Sequence, residues 1–403
     1  MKVVLLFLFL SLNLTAATYF ISPDGNDSNT GDINTPFASL QHVNKLVKSG
    51  DTVYIRGGEY KIQNKDISRF DKKLFARVIY FKTSGTKNSP IIYQAYENEK
   101  PVFDFSAVKP ADHRVYAFSV SGSWLHFKGI EVTGVQVTMK GHTQSISFEN
   151  NGSHNIFEGL TMRDSQAIGY YSTRGSHNLV LNCDAYNNWD YTSEGGKGGN
   201  VDGFGIHPRK GDKGNVIRGC RAWFNSDDGY DLINSGEAVV IENCWAAYNG
   251  FTKEFKSAGD GNGFKAGGYG STEESQLPSP IPRHSVIKSF AMRNKQSGFY
   301  ANHHIGGIDW FNNVAYKNKK NFNMLARKSD NVTSVPGYGH RLKNNIGIQS
   351  RNGNEIININ RVECILENNS FSSKPSQNIF ENFDKENFFK ARKVNGDLPD
   401  LTQ

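Results

Sequence analysis

One short pattern recurs nine times between residues 125 and 371, and a chain built this way has few folds open to it. The segments are LHFKGIEV, HNIFEGLTM, NLVLNCDA, NVIRGCRA, VVIENCWA, SVIKSFAM, DWFNNVA, RLKNNIG and ILENNSF. Aligned, they give an apolar column of Phe127, Phe157, Val180, Ile217, Ile241, Ile287, Trp310, Leu342 and Leu366. Two residues on stand Gly129, Gly159, Asn182, Gly219, Asn243, Ser289, Asn312, Asn344 and Asn368. Gly and Asn tolerate the left-handed backbone conformation, so this column predicts a one-residue bend between two short strands. The next column reads Ile130, Leu160, Cys183, Cys220, Cys244, Phe290, Asn313, Asn345 and Asn369, and its shortest steps are 23 or 24 residues. That is one turn of a three-strand solenoid. Chance similarity would not keep apolar and bend columns in step through nine segments. The predicted fold is an all-β, right-handed parallel β-helix.

Composition agrees. The 403 residues include 40 Gly and 12% aromatics, which suits short strands and tight turns and argues against a helical bundle. Asn188, Asn225, Asn249 and Asn318 form a further column whose amides are placed to hydrogen-bond from coil to coil. Of the four cysteines, three fall in one core column as small hydrophobes, so no structural disulfide is expected.

Residues 1–17 carry one Lys, an apolar run and small residues at Ala16 and Ala17, the layout of a signal peptide. The run is shorter than the roughly 20 residues that span a bilayer. A secreted protein with no membrane anchor in its mature form is expected. Residues 18–403 read as a single β-helix domain, expected to be monomeric. Phe37, Leu40, Val43 and Val47 predict a capping helix over 37–48, and residues 374–403, with Phe380, Phe383, Phe388 and Phe389, a tail packing over the other end. A net charge of +7 and a pI near 9.0 suit an anionic partner. No basic run or nucleic-acid motif is present, so an acidic polysaccharide is favoured over nucleic acid.

A second strand in each coil is marked by Gly169-Tyr170, Gly203-Phe204, Gly229-Tyr230, Gly263-Phe264, Gly298-Phe299 and Asn321-Phe322. With the aromatics inward, alternation turns Tyr171, Gly205, Asp231, Lys265, Tyr300 and Asn323 outward. The residues before each Gly stack Asp202 on Asp228, and Asp190 matches Asp227. Five carboxylates, Asp190, Asp202, Asp227, Asp228 and Asp231, are thus expected in one patch. Such charges repel unless a cation joins them, and an all-oxygen set favours calcium over zinc. Two insertions, WDYTSEGGKGGN and FTKEFKSAGDG, leave the same corner and flank this coil as walls of a site.

Calcium beside a uronate would stabilise the anion formed when the proton alpha to the carboxylate is removed. Lys265 is the candidate base. Arg209, Lys210 and Lys213 are candidates for binding further substrate carboxylates, or equally for solvated surface charge. His207, Tyr300 and His303 are placed to line the cleft, while His303 and His304 are as readily structural.

VDGFGIHPRKGDKGN, RAWFNSDDGYDLI, VVIENCWAAYNG and GDGNGFKAGG, in this order, resemble polysaccharide lyase family 9, the pectate lyase L type. The specific part of the match covers about residues 180–325. It implies a right-handed parallel β-helix, calcium held by Asp202, Asp227, Asp228 and Asp231, and Lys265 as the proton-abstracting base. GFYANHHIGGIDWFNN departs from the pectate lyase pattern toward relatives that cut rhamnogalacturonan I. Calcium-assisted lysis of pectic galacturonan is therefore the first expectation and rhamnogalacturonan I the second. A β-helix glycoside hydrolase and a non-catalytic calcium-stabilised carbohydrate-binding protein are the alternatives outside the lyases.

Overall fold

The structure, a computed structural model, describes residues 16–372 and 385–400. Three parallel sheets of twelve, ten and eleven described strands run its length, and the chain visits them in turn, each strand pairing with its equivalent one coil earlier. This is a parallel β-helix. The first sheet contains Leu125–Lys128 and its successors, the second Glu131–Thr133, and the third Ala167–Ser172, Phe204–Ile206, Tyr230–Asp231, Phe264–Lys265 and Ser297–Tyr300. Arg69–Asp71 pairs antiparallel with Phe75–Phe81 at the edge of the third sheet.

Phe127, Phe157, Val180, Ile217 and Ile241 lie opposite one another in register. The bend residues take the left-handed conformation, with φ from 51° at Asn243 to 70° at Gly129. Inside, rings stack one coil apart: Phe204 on Tyr230 at 5.1 Å, Tyr230 on Phe264 at 4.6 Å and Phe264 on Phe299 at 5.0 Å. Offset stacking of this kind adds to the area that the rings bury.

One coil is shifted by a residue from the sequence alignment. Val286, not Ile287, faces Ile241, and the left-handed bend falls on Lys288 at φ 50°. Ser289 then replaces Phe290 in the core column, its hydroxyl accepting the Cys244 N–H at 3.1 Å. Phe290 turns outward against Trp245. Lysine at a bend carries no sequence signal, so the Ser289-Phe290 pair was aligned one residue early. The same shift brings Asn294 into the asparagine ladder. Asn188, Asn225, Asn249, Asn294 and Asn318 each pass an amide N–H to the Oδ1 of the next asparagine at 2.9–3.1 Å, the ladder ending at Asn321. Cys183, Cys220 and Cys244 are buried free thiols in their own column.

The N-terminal cap is one helical turn, Leu40–Val43, with the Ser39 hydroxyl accepting the His42 N–H at 3.1 Å. The predicted span 37–48 is shortened because Phe37 bridges Ile21 as a strand residue and Asp51 captures the Lys48 N–H. Phe37, Leu40, Val43 and Val47 are nevertheless all buried over the end.

Phe380 and Phe383 lie outside the described residues. Residues 385–400 do not cover the far end but run back along the outer face of the second sheet. Phe388 packs against Trp245 and Trp223, and Arg392 pairs with Asp184 at 2.6 Å. The outward Trp223, Trp245 and Phe290 demand that cover.

Candidate active site

Two adjacent coils of the third sheet bring the acidic residues together. Asp202 and Asp228 sit one above the other, the Asp202 Oδ1 accepting the Asp228 N–H at 3.0 Å. Asp227 joins them, so that each of the three offers an oxygen within 4.8 Å of the others, and all three are buried. Burial, reinforced by the neighbouring carboxylates, pushes the pKa values of Asp202 and Asp227 well above the usual carboxylate range. Asp228 is raised by the same burial, opposed by Lys265.

Asp231 and Lys265 are register partners on adjacent strands, both outward. The Lys265 Nζ lies 3.0 Å from Asp231 Oδ2 and 3.2 Å from Asp228 Oδ2. Burial disfavours the ammonium, but Asp231, Asp228, Asp202 and Asp227 outweigh it and hold the Lys265 pKa well above its ordinary value. Asp231 also accepts the Ile233 N–H at 2.7 Å, which fixes its carboxylate toward the lysine. Asn262 serves Asp228 in the same way, donating its backbone and side-chain N–H groups to Oδ1 at 2.6 and 2.9 Å.

The two insertions meet over this cluster. Ser226 donates to Gly198 O at 2.6 Å, and the Asp260 N–H reaches Asp227 Oδ1 at 2.8 Å. A Cβ on Gly259 would stand 2.6 Å from Ser226 O, so only glycine permits the approach. Phe255 leans away from the cluster, against Phe224 and Tyr248.

Not every residue expected here arrives. Asp190 turns into its own loop, accepting the N–H groups of Thr192 and Ser193 at 2.8 and 2.9 Å and the Ser193 hydroxyl. The loop turn it caps claims the carboxylate before the cluster can. Tyr300 stands beside Lys265 in register, and burial raises its pKa to about 12. His207 packs on Tyr171 at 4.9 Å with its Nδ1 2.6 Å from Ile233 O, and its pKa is lowered, chiefly by burial. His303 is half-buried near Tyr300, whereas His304 is buried between Gly268 N and Pro282 O and is structural. Arg209 and Lys210 line a groove of about 540 Å³ with His207, Thr272 and Ser279, and Lys210 donates to Ser279 O at 2.8 Å. Lys213 is exposed at the corner beside His177. Asn262 and the Asp260 N–H, which brace Asp228 and Asp227, carry no distinguishing sequence signal.

A family described as the Pel9A-like, right handed beta helix region matches residues 19–374. The chain belongs to that family. Its members share the parallel coils described above, and the hand of the helix is right. Pectate lyase L of Dickeya chrysanthemi is 34% identical over 403 residues, covering 96% of this chain and 83% of the relative. Pectate lyase PEL9 of Emericella nidulans is 30% identical over 324 residues, covering 75% and 74%. Among solved structures, a rhamnogalacturonan lyase superposes with a TM-score of 0.91 at 45% identity over 96% of both chains. Pectate lyase Pel9A gives 0.75 at 30% identity over 96% of this chain and 88% of that one. The chain is a polysaccharide lyase by family.

Proposed function

We propose that this lyase cleaves a galacturonate-containing pectic polysaccharide by β-elimination, with Lys265 as base and calcium held by Asp202, Asp227, Asp228 and Asp231. The observation that carries the reading is the placement of the Lys265 Nζ at the edge of a buried all-carboxylate cluster, 3.0 and 3.2 Å from two of its members. The residues fit a hard cation. Asp202, Asp227 and Asp228 bring carboxylate oxygens within 4.8 Å of one another, with Asp231 beside them on Lys265, and among the described residues Asp228 Oδ2 is met by the Lys265 ammonium alone. Four acidic side chains against one ammonium also leave an excess of buried negative charge.

Calcium bound here would neutralise the aspartates and the substrate carboxylate, which weakens the field holding the proton on Lys265 and favours the enolate-like anion. The chain's own groups do the rest. Asp228 and Asp231 orient the Lys265 Nζ, which first gives its own proton to solvent and then, as the neutral amine, takes the C5 proton. The C4–C5 double bond forms as the C4–O bond breaks, and the leaving oxygen takes a proton from solvent. Tyr300, one coil on, and His207, two coils back, flank the reacting sugar.

Rhamnogalacturonan I is the favoured polymer. The 45% identity to a rhamnogalacturonan lyase over 96% of both chains supports it over homogalacturonan, which the pectate lyase relatives at 34 and 30% support, and this reverses the order in which the sequence motifs rank the two. The apolar N-terminal run, which lies outside the described residues, supports export to where such polymers occur. Among the described residues no helix is long and apolar enough to cross a membrane.

Incubation with rhamnogalacturonan I and with polygalacturonate, with calcium and with a chelator, tests the reading through the ultraviolet absorbance of unsaturated uronate. Calcium-dependent absorbance, larger with rhamnogalacturonan I, is expected. No unsaturated product from either polymer, or product undiminished by the chelator, would overturn it.

A further inference from the structure

The outer face of the third sheet continues away from Lys265 toward the N-terminus, and Arg114 there, unlike Arg69 and Arg77 on the same sheet, makes no ion pair, as Arg293 and Arg327 elsewhere among the described residues make none. Arg77 is held by Asp71 and Glu149, Arg163 by Glu131, Arg221 and Arg392 by Asp184, and Arg283 by Asp309. Arg114 is in no ion pair among the described residues. Its guanidinium lies over the Phe75 ring at 5.9 Å, and its Nε is buried without a hydrogen-bond partner. A half-buried guanidinium with an unmet donor is costly unless an anion completes it.

The half-buried rings near it are Phe75 and Tyr171. Tyr116, Ile146 and Ile168 form an apolar cluster outside the main core, with the half-buried Phe75 and Tyr171 packed on it. Tyr171 shares the outward column of Asp231 and Lys265, so these rings are continuous with the acidic centre. The segment around Val137, which bridges Arg114, walls its side. That wall is tied to the loop bearing Asp190 through Glu194, which bonds Lys140 O through its N–H at 2.9 Å and His142 through its carboxylate at 3.1 Å.

We infer that Arg114 and the half-buried Phe75 and Tyr171 rings form a distal subsite that binds the carboxylate of a second uronate in the chain being cleaved. The inference rests on the proposed uronate substrate and adds where else the polymer is held. The strand bearing Arg114 lies five coils from that of Lys265, about 24 Å at the usual strand spacing. Arg114 also stands five residues before Ser119, the member of the Lys265 column on its strand, so the two groups are offset along the strands by about 16 Å as well.

Calorimetric titration of Lys265→Ala with calcium and galacturonate-containing oligosaccharides, dimer to octamer from each polymer, tests this without turnover. Affinity is expected to tighten about tenfold between short and long oligomers, one charge-assisted pair being of that order. Arg114→Gln on that background removes the gain and leaves short-oligomer affinity within about twofold, and Arg114→Lys restores part of it. Octamers with carboxylates reduced to alcohols lose the gain with Arg114 intact, a readout independent of how the variants fold. Equal weakening at all lengths, no weakening, or undiminished binding of the reduced octamer would overturn the subsite. Wild type that gives no unsaturated product would defeat the proposed reaction instead, while a length gain dependent on Arg114 would still establish the subsite.

Discussion

Lys265 and Asp231 are paired twice: as register partners on adjacent parallel strands, and through an Nζ to Oδ2 contact of 3.0 Å. The first pairing comes from the solenoid repeat and the second from the site. Because the backbone register fixes the separation, the lysine needs no loop to hold it beside the carboxylates.

Lys265→Ala is expected to lower kcat by roughly 10²–10⁴-fold, the range for loss of a general base. It also leaves Asp228 and Asp231 without their counter-charge, a loss of about 3–5 kcal/mol where the remaining charge is buried. Thermal melts of the variant should therefore depend more steeply on added calcium than those of the wild type. A variant that melts like the wild type at every calcium concentration would argue against the shared role of lysine and cation.

Asn249→Ala interrupts the asparagine ladder at its middle. The Asn225 N–H and amide lose their acceptor, and Asn294 Oδ1 keeps the Asn249 backbone N–H but loses the side-chain amide, all in the core. About 2–4 kcal/mol of destabilisation is expected, read as a fall in the denaturant midpoint with the lyase activity of the folded fraction intact.

Buried histidines set an acid limit. His304 and His340 have pKa values pushed down by burial to about 4 and about 3, and His284 is also well below its ordinary value. Arg283 faces His304 and His340 and adds to the effect on both. In the unfolded chain these rings take up protons near pH 6.5, while the folded protein keeps them neutral until far lower. Stability is thus full above about pH 6.5 and falls as pH drops toward 4, on the order of 3 kcal/mol per histidine. His340 Nδ1 accepts the Ile308 N–H at 3.0 Å, a role that Asn155 fills for the Leu125 N–H. Denaturation of His340→Asn at pH 7 and pH 4.5 should show a smaller loss between the two than wild type. An unchanged loss would show that other groups set the limit.

Removing residues 385–403 uncovers Trp223, Trp245 and Phe290 and leaves Asp184 with Arg221 alone. A lower melting temperature and faster aggregation are expected. Lyase activity measured well below the melting point should survive, because the strap lies on the second sheet and the acidic centre on the third. An equal loss of activity and stability would contradict that separation.

The periodicity of the chain was enough for the solenoid. Gly, Asn and aromatic columns mark bends and core, and a repeat must bury its apolar face against its neighbours. Because stacking converts sequence offset directly into spatial adjacency, the neighbours Asp202 and Asp228, and Asp231 and Lys265, were legible as well. The Ser289 column was not, because Lys288 bends without the residue type that signals a bend. Nor was Asp190 correctly placed near the cluster, since its loop obeys local hydrogen bonds instead of the repeat. The path of the tail over Trp245 and the unpaired state of Arg114 needed the tertiary structure. Both depend on which surfaces are left unsatisfied after the coils have stacked, and no periodic signal in the sequence records that.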